Sequence, residues 1–334
     1  MSKRSITIFG GSGFLGRNIV RKLAKENTTI KVAVRRPELA GFLRPLGSVG
    51  QITLVKTDVC STSDIYQALD GSNEVINLTG ILYERGKQRF DTIHAKTPGT
   101  IAAAARKAGV QRLVHVSALG ADCSSNSSYA RSKGTGEKAL LEYFPAATVL
   151  RPSVVFGPED DFFNKFGALA RILPGLPIFC TLKQWPKIHF EGLYFFPRIE
   201  AGTTLMQPVY VSDVAEAVVR VLGSHSAEAQ GKTYELGGPH IYSFRELMNL
   251  VLSQMQLKRF LIPVPYLAAN ILGRIGQLLP VPPITLDQAR LLQIDNIVSR
   301  EALTLENLGI SPVAAELILP TYMKRFCAPP PSTE

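Results

Sequence analysis

The sequence predicts an α/β fold, a doubly wound parallel sheet with helices on both faces, and two observations carry that expectation. Through the first half of the chain, apolar runs of strand length alternate with amphipathic runs of helical length. The first such pair is joined by Gly10-Gly11-Ser12-Gly13-Phe14-Leu15-Gly16, a glycine turn between strand and helix. Taken in order, the strands fall at 6–9, 30–34, 52–56, 74–78, 112–117 and 148–151. Helices are expected at 13–25, 63–69, 98–108 and 129–143. Six strands with crossovers make a Rossmann-type sheet.

The glycine turn is where this order acquires chemistry. Gly10 allows a tight turn, Gly13 lets backbone approach a pyrophosphate, and Gly16 lets helix and strand pack closely. The helix that follows presents unpaired N–H groups and a positive dipole end to phosphate. Gly10 to Gly16, with Ser12, Phe14 and Leu15 between them, are therefore read as cofactor-binding.

Beyond residue 151 the pattern loosens. A helix is expected at 162–172, then an aromatic stretch from Phe179 to Pro197 without clear period. Order returns at 207–211 and in a helix over 213–222, which are expected to rejoin the sheet. The last third is punctuated by proline, with helices at 244–255, 266–279, 286–293 and 314–326. Residues 1–155 are thus read as a nucleotide-binding domain rejoined by 203–238. A smaller, mostly helical lid or docking region takes 156–202 and 239–327, and 328–334 is read as a disordered tail.

Composition narrows the partners. The 334 residues are 46% apolar, and 37 Lys and Arg against 27 Asp and Glu give a formal charge of +10, which favours anionic partners. The cations are scattered and no nucleic-acid module is recognisable, so nucleic acid is not expected. Cys60, Cys123, Cys180 and Cys327 lack metal-ligand spacing and are read as reduced thiols, with no metal site. No stretch of about 20 uninterrupted apolar residues is present to span a bilayer. With the first strand expected to start at residue 6, no targeting peptide is expected. Residues 260–279 are apolar enough to lie at a membrane interface, with Lys258, Arg259 and Arg274 toward headgroups, or to pack on the domain's own core.

Tyr129 and Lys133 stand at i and i+4, on one helix face, twelve residues after Ser117 at a strand end. A phenol titrates near 10, and a nearby ammonium brings it toward neutrality. A serine hydroxyl can meanwhile polarise a carbonyl during hydride transfer. Ser117, Tyr129 and Lys133 are the candidate catalytic set, Lys133 being equally suited to holding a ribose. After the second strand stand Arg35 and Arg36, where a site for NAD usually places an acid and a site for NADP an arginine. NADP(H) is therefore expected over NAD(H).

The Ser, Tyr, Lys set downstream of Gly10, Gly13 and Gly16 resembles the short-chain dehydrogenase/reductase superfamily. That resemblance implies cofactor contacts for Asp58 and Val59 at the adenine, for Leu78, Thr79 and Gly80 beside the cofactor, for Ser117, Tyr129 and Lys133, and for Pro152, Ser153 and Val154 near the nicotinamide. Further stretches sharpen it: Leu43-Arg44-Pro45-Leu46-Gly47, His115-Val116-Ser117-Ala118-Leu119-Gly120-Ala121, Tyr129-Ala130-Arg131-Ser132-Lys133, Arg151-Pro152-Ser153-Val154-Val155-Phe156-Gly157-Pro158 and Leu305-Glu306-Asn307-Leu308-Gly309-Ile310. Over nearly the whole chain they resemble the atypical short-chain dehydrogenases typified by a nucleotide-binding accessory subunit (alpha subcomplex subunit nine) of respiratory complex I, in a bacterial member. The resemblance implies a tightly held NADP(H), an accessory or assembly role on complex I, and a cytoplasmic location peripheral to the inner face of the plasma membrane. Because Tyr129 is retained, the alternative is an active reductase of a carbonyl or quinone-pathway substrate. The stretch 180–201 is longer and more aromatic than the family pattern, so nothing is carried over to it.

Overall fold

The structure, a computed structural model, describes residues 4–180, 187–191, 194–198, 201–223, 225–265, 268 and 286–327. The chain divides into two units. Met1–Ser153, Val209–Gly237 and Val298–Pro312 form the first, and Val154–Pro208, Gly238–Ile297 and Val313–Glu334 the second.

In the first unit, β1 (Arg4–Phe9), β2 (Thr28–Val34), β3 (Ile52–Lys56), β4 (Glu74–Asn77), β5 (Arg112–Val116), β6 (Thr148–Pro152) and β7 (Thr233–Leu236) make one sheet in the order β7-β6-β5-β4-β1-β2-β3. Every neighbouring pair is parallel. Ile6, Ile8, Phe9, Ile30, Val32, Val75 and Ile76 are fully buried, as a parallel sheet covered on both faces requires. Helices α1 (Phe14–Leu23), α2 (Thr62–Leu69), α3 (Thr97–Lys107), α4 (Ser128–Tyr143) and α5 (Val211–Leu222) supply the cover. One core joins Phe9 and Val75 to Ile65, Leu69, Ile101, Leu140 and Phe144 from α2, α3 and the end of α4. Each such large side chain contributes about 1.5–3 kcal/mol by leaving water. On the other face α1 lies beside α5, where Lys22 Nζ meets Glu216 Oε2 at 2.9 Å. Ser61 and Ser127 cap α2 and α4 by accepting from the Asp64 and Ala130 N–H groups.

The sheet differs from the sequence expectation at one edge. Its seventh strand is Thr233–Leu236, whereas 207–211, expected to rejoin it, holds only the short strand Val209–Tyr210 outside this sheet and the start of α5. The chain returns to this edge again. The Glu235 N–H donates to the Leu303 carbonyl at 2.8 Å, and the Ser299 N–H to Glu235 Oε2 at 2.8 Å. Val298–Pro312, expected in the lid, belongs to the first unit for that reason.

Strand order reverses between β1 and β4, so the loops leaving these two strands flank a crevice at their carboxyl ends.

The second unit mixes helices with short strands. Helices Phe162–Ile172, Phe244–Gln254 and Ala315–Met323 share it with a parallel pair, Gly175–Cys180 beside Phe260–Pro265, and an antiparallel hairpin, Lys187–Glu191 with Tyr194–Arg198. The rings of Phe162, Phe163, Phe166, Phe179 and Phe244 pack on one another in its core. Phe260–Pro265, the start of the apolar 260–279 segment, is a strand. The helix expected at 266–279 lies outside the described residues apart from Ala268, as does the tail 328–334.

Candidate functional site

The loop from β1 to α1 closes on itself. Gly10 adopts φ +80°, a conformation that L side chains avoid, and its carbonyl accepts the Gly13 N–H at 3.1 Å. A Cβ at Gly16 would lie 2.5 Å from the Gly10 oxygen, so only glycine fits there. Gly11 and Gly16 are buried, Ser12, Phe14 and Leu15 half-buried, and Gly13 exposed. No side chain caps α1 and no acid stands in its first turn, which leaves its first N–H groups and dipole available to an anion.

The facing loop leaves β4. The Leu78 N–H donates to the Phe9 carbonyl at 2.9 Å, and the Leu78 backbone lies 3.0 Å from where a Gly10 Cβ would stand. Both the N–H and Oγ1 of Thr79 donate to Asn77 Oδ1, at 3.0 and 2.7 Å. Gly80 faces the ends of Lys133 and His94: its Cβ would lie 3.5 Å from Lys133 Nζ and 3.7 Å from His94 Nε2.

Arg35 and Arg36 follow β2 directly and are exposed. The Arg35 guanidinium donates to the Gln88 side-chain oxygen, from Nη2 at 3.1 Å. Asp58, exposed after β3, accepts the Cys60 N–H at 3.0 Å and donates its own N–H to Asp64 Oδ2 at 3.0 Å. Val59 is half-buried and its carbonyl accepts from Thr97 Oγ1 at 3.1 Å. Burial and the Asp58 carboxylate push the Cys60 thiol up, while Arg35 and Lys87 pull it down. The ends of β2 and β3 therefore converge on one charged corner.

The candidate catalytic side chains come from the end of β5, which leads into Ser117, and from α4, which carries Tyr129 and Lys133. Ser117 donates its N–H to the Leu150 carbonyl at 2.8 Å, but its buried Oγ has no partner among the described residues. Lys133 is 5% exposed, its Nζ 3.5 Å from the Val116 carbonyl. Burial lowers its pKa from 10.5 to about 8, against a smaller upward pull from the Glu137 carboxylate. Glu137 is itself held by Arg151 at 2.6 Å. Tyr129, half-buried one turn before Lys133, meets the rings of Phe90 and His94 edge-on at 5.8 and 5.2 Å. At the end of β6, the Pro152 carbonyl accepts the Leu119 N–H and the Ser153 N–H donates to Leu236, each at 2.9 Å. Val154 is the first residue of the second unit.

The fold thus assembles Gly80, Tyr129, Lys133 and the end of β5 into one cluster. The glycine loop lies across from Leu78, and Arg35 and Asp58 hold a separate corner. Three more side chains stand beside this cluster, and the two histidines among them were given no role by the sequence reading. Asn77 and His115 are register partners on adjacent strands, both buried, and Asn77 Nδ2 has no partner among the described residues. His115 lies against the Asn77 backbone, and neither ring nitrogen has a hydrogen-bond partner among the described residues. Burial first, then the Lys133 charge, holds its pKa down at about 3. His94 sits in a single π turn, Asp91–Lys96, before α3, a feature that no hydropathy period marks. Buried polar groups without partners point to a polar ligand or to water.

The sequence signature described as the NAD dependent epimerase/dehydratase family matches residues 6–237. The NADH dehydrogenase [ubiquinone] 1 alpha subcomplex subunit 9, mitochondrial, of Mus musculus is 31% identical over 314 residues, covering 93% of this chain and 77% of that protein. A ceramide reductase of Caulobacter vibrioides is 32% identical over 209 residues, 63% of this chain and 64% of that one. Among solved structures, the triphenylmethane reductase of Citrobacter sp. superposes with a TM-score of 0.73 at 19% identity, over 96% of this chain and 99% of that chain.

Proposed function

The chain belongs to the NAD dependent epimerase/dehydratase family, and on that premise we propose that it is a nucleotide-loaded accessory subunit of respiratory complex I. The observation that carries this reading is the likeness to the mitochondrial complex I subunit over 93% of the chain. The site fits the nucleotide by its own chemistry. The loop that only glycine can form at Gly10 and Gly16 leaves room for a pyrophosphate against α1. Ser117 Oγ, Asn77 Nδ2 and the Lys133 ammonium supply buried donors for ribose and nicotinamide. Gly10 to Gly16 would hold the phosphates, Asp58 and Val59 the adenine, and Leu78, Thr79, Gly80, Pro152, Ser153 and Val154 the nicotinamide half. Arg35 and Arg36, with no acid at the end of β2, favour the 2′-phosphate of NADP(H) over the 2′-hydroxyl of NAD(H).

The proposed place of work is the inner face of a bacterial plasma membrane, at the complex and its anionic lipid surface, in keeping with the +10 charge. No helix among the described residues is long and apolar enough to cross a membrane. Two measurements test the reading. Denaturing the purified protein and weighing what is released should give NADP(H). Gentle detergent extraction should bring complex I subunits down with it. Release of nothing, or a monomer with no complex I partner, refutes it.

A second reading, an active reductase, is favoured by Tyr129 and a buried Lys133 of lowered pKa at i and i+4. Bound NADPH would supply the hydride. Ser117 Oγ would donate to the substrate carbonyl oxygen, Tyr129 would pass it a proton, and the Lys133 ammonium would bring the phenol toward neutrality. Tyr129→Phe should then abolish substrate-dependent NADPH oxidation, and an unchanged rate would remove this reading.

A further inference from the structure

We infer that His94 is a positioning residue, a neutral imidazole that ties the loop after β4 to the helix bearing Tyr129 and Lys133. The chain of hydrogen bonds fixes its state. The Ile81 N–H can only donate, and it reaches His94 Nε2 at 2.9 Å, so Nε2 carries no proton. The proton is therefore on Nδ1, which donates to Ser132 Oγ at 3.1 Å. Ser132 Oγ in turn donates to the Tyr129 carbonyl at 2.8 Å. Three links thus run from the backbone beside Gly80 to the backbone of Tyr129.

Packing holds this tether in place. Phe90 stacks on the His94 ring at 5.2 Å, and Tyr129 closes on it edge-on at 5.2 Å. The π turn also brings the His94 carbonyl against α4, where a Cβ at Gly136 would stand 1.8 Å from it, so α4 approaches as closely as glycine allows. Burial first, then the Lys133 charge, then His115, holds the His94 pKa at about 2. An imidazolium here would present an N–H to the Ile81 N–H and bring a second charge toward Lys133. Neutral His94 permits the ammonium; charged His94 would oppose it.

The inference rests on the nucleotide reading of the site, and the experiment separates the two. In the full-length protein, long-range ¹H–¹⁵N correlation should show one histidine in the Nδ1–H form, its signal lost in His94→Gln. The Nε2–H form, or an imidazolium at neutral pH, overturns the tether whatever the nucleotide does. In NADPH titrations followed by fluorescence, His94→Ala and Ser132→Ala should each weaken binding by about tenfold, about the loss of one buried hydrogen bond. The double variant should be no weaker than either single one. Losses that multiply, or wild-type affinity in Ser132→Ala, refute the positioning role. Should His94→Ala fail to fold, Ser132→Ala still decides, because it removes the middle link and only one oxygen. A wild-type protein that shows the Nδ1–H form yet binds no NADPH supports the tether and refutes the nucleotide reading alone.

Discussion

Lys133→Met separates what burial of the ammonium costs from what the site gains by it. The fall of the Lys133 pKa from 10.5 to about 8 corresponds to about 3 kcal/mol of folding free energy. Below about pH 8 both folded and unfolded chains hold this proton, and the full cost is present. Between about 8 and 10.5 the unfolded chain holds it and the folded chain sheds it, so stability rises with pH. Above 10.5 neither holds it and the cost is gone. Methionine fills nearly the same space without charge and, beyond the Glu137 attraction already contained in that shift, sacrifices the 3.5 Å contact to the Val116 carbonyl, about 1 kcal/mol. The variant should therefore be more stable than the wild type by about 2 kcal/mol at neutral pH. Urea unfolding of both proteins at several pH values from 7 to 10.5 measures the difference, which should shrink steadily as pH rises. A gap that stays level or widens with pH would refute the reasoning, because a solvated lysine has no such dependence. The same variant should bind NADPH at least about tenfold more weakly, stability and function moving in opposite directions.

Other perturbations test other parts. Gly16→Ala places a Cβ 2.5 Å from the Gly10 oxygen, and should abolish NADPH binding while lowering stability by about 2 kcal/mol or more; calorimetric titration and thermal unfolding read the two. Arg35→Glu combined with Arg36→Glu should move preference from NADP(H) to NAD(H) by about two orders of magnitude, since two charge-assisted contacts are exchanged for repulsion; side-by-side titration with both cofactors checks it. Glu74→Ala removes the buried carboxylate that Arg4 and Arg112 reach at 2.8 and 2.9 Å, and should cost about 2 kcal/mol in chemical denaturation, less than a fully buried pair because both arginines remain partly solvated.

How much of this molecule its sequence could determine follows from the range over which its interactions act. The glycine turn, the caps and the apolar periods are local, and they place β3 at Ile52–Lys56 and a helix at Phe162–Ile172 from neighbouring residues alone. Tyr129 and Lys133 are legible for the same reason, because i and i+4 share a helix face. Only the tertiary structure decided which strands pair. Thr233–Leu236 is four residues with little pattern, and becomes an edge strand because β6 and residues 298–312 pair with it. Phe260–Pro265 carries the composition of an interfacial segment, and is a strand because Gly175–Cys180 lies parallel to it. His94 and Ser132 stand 38 residues apart and meet only because α4 closes on the π turn at Gly136. Local preferences order the elements, while buried polar groups seek partners across the fold, and no window of sequence contains both ends of such a bond.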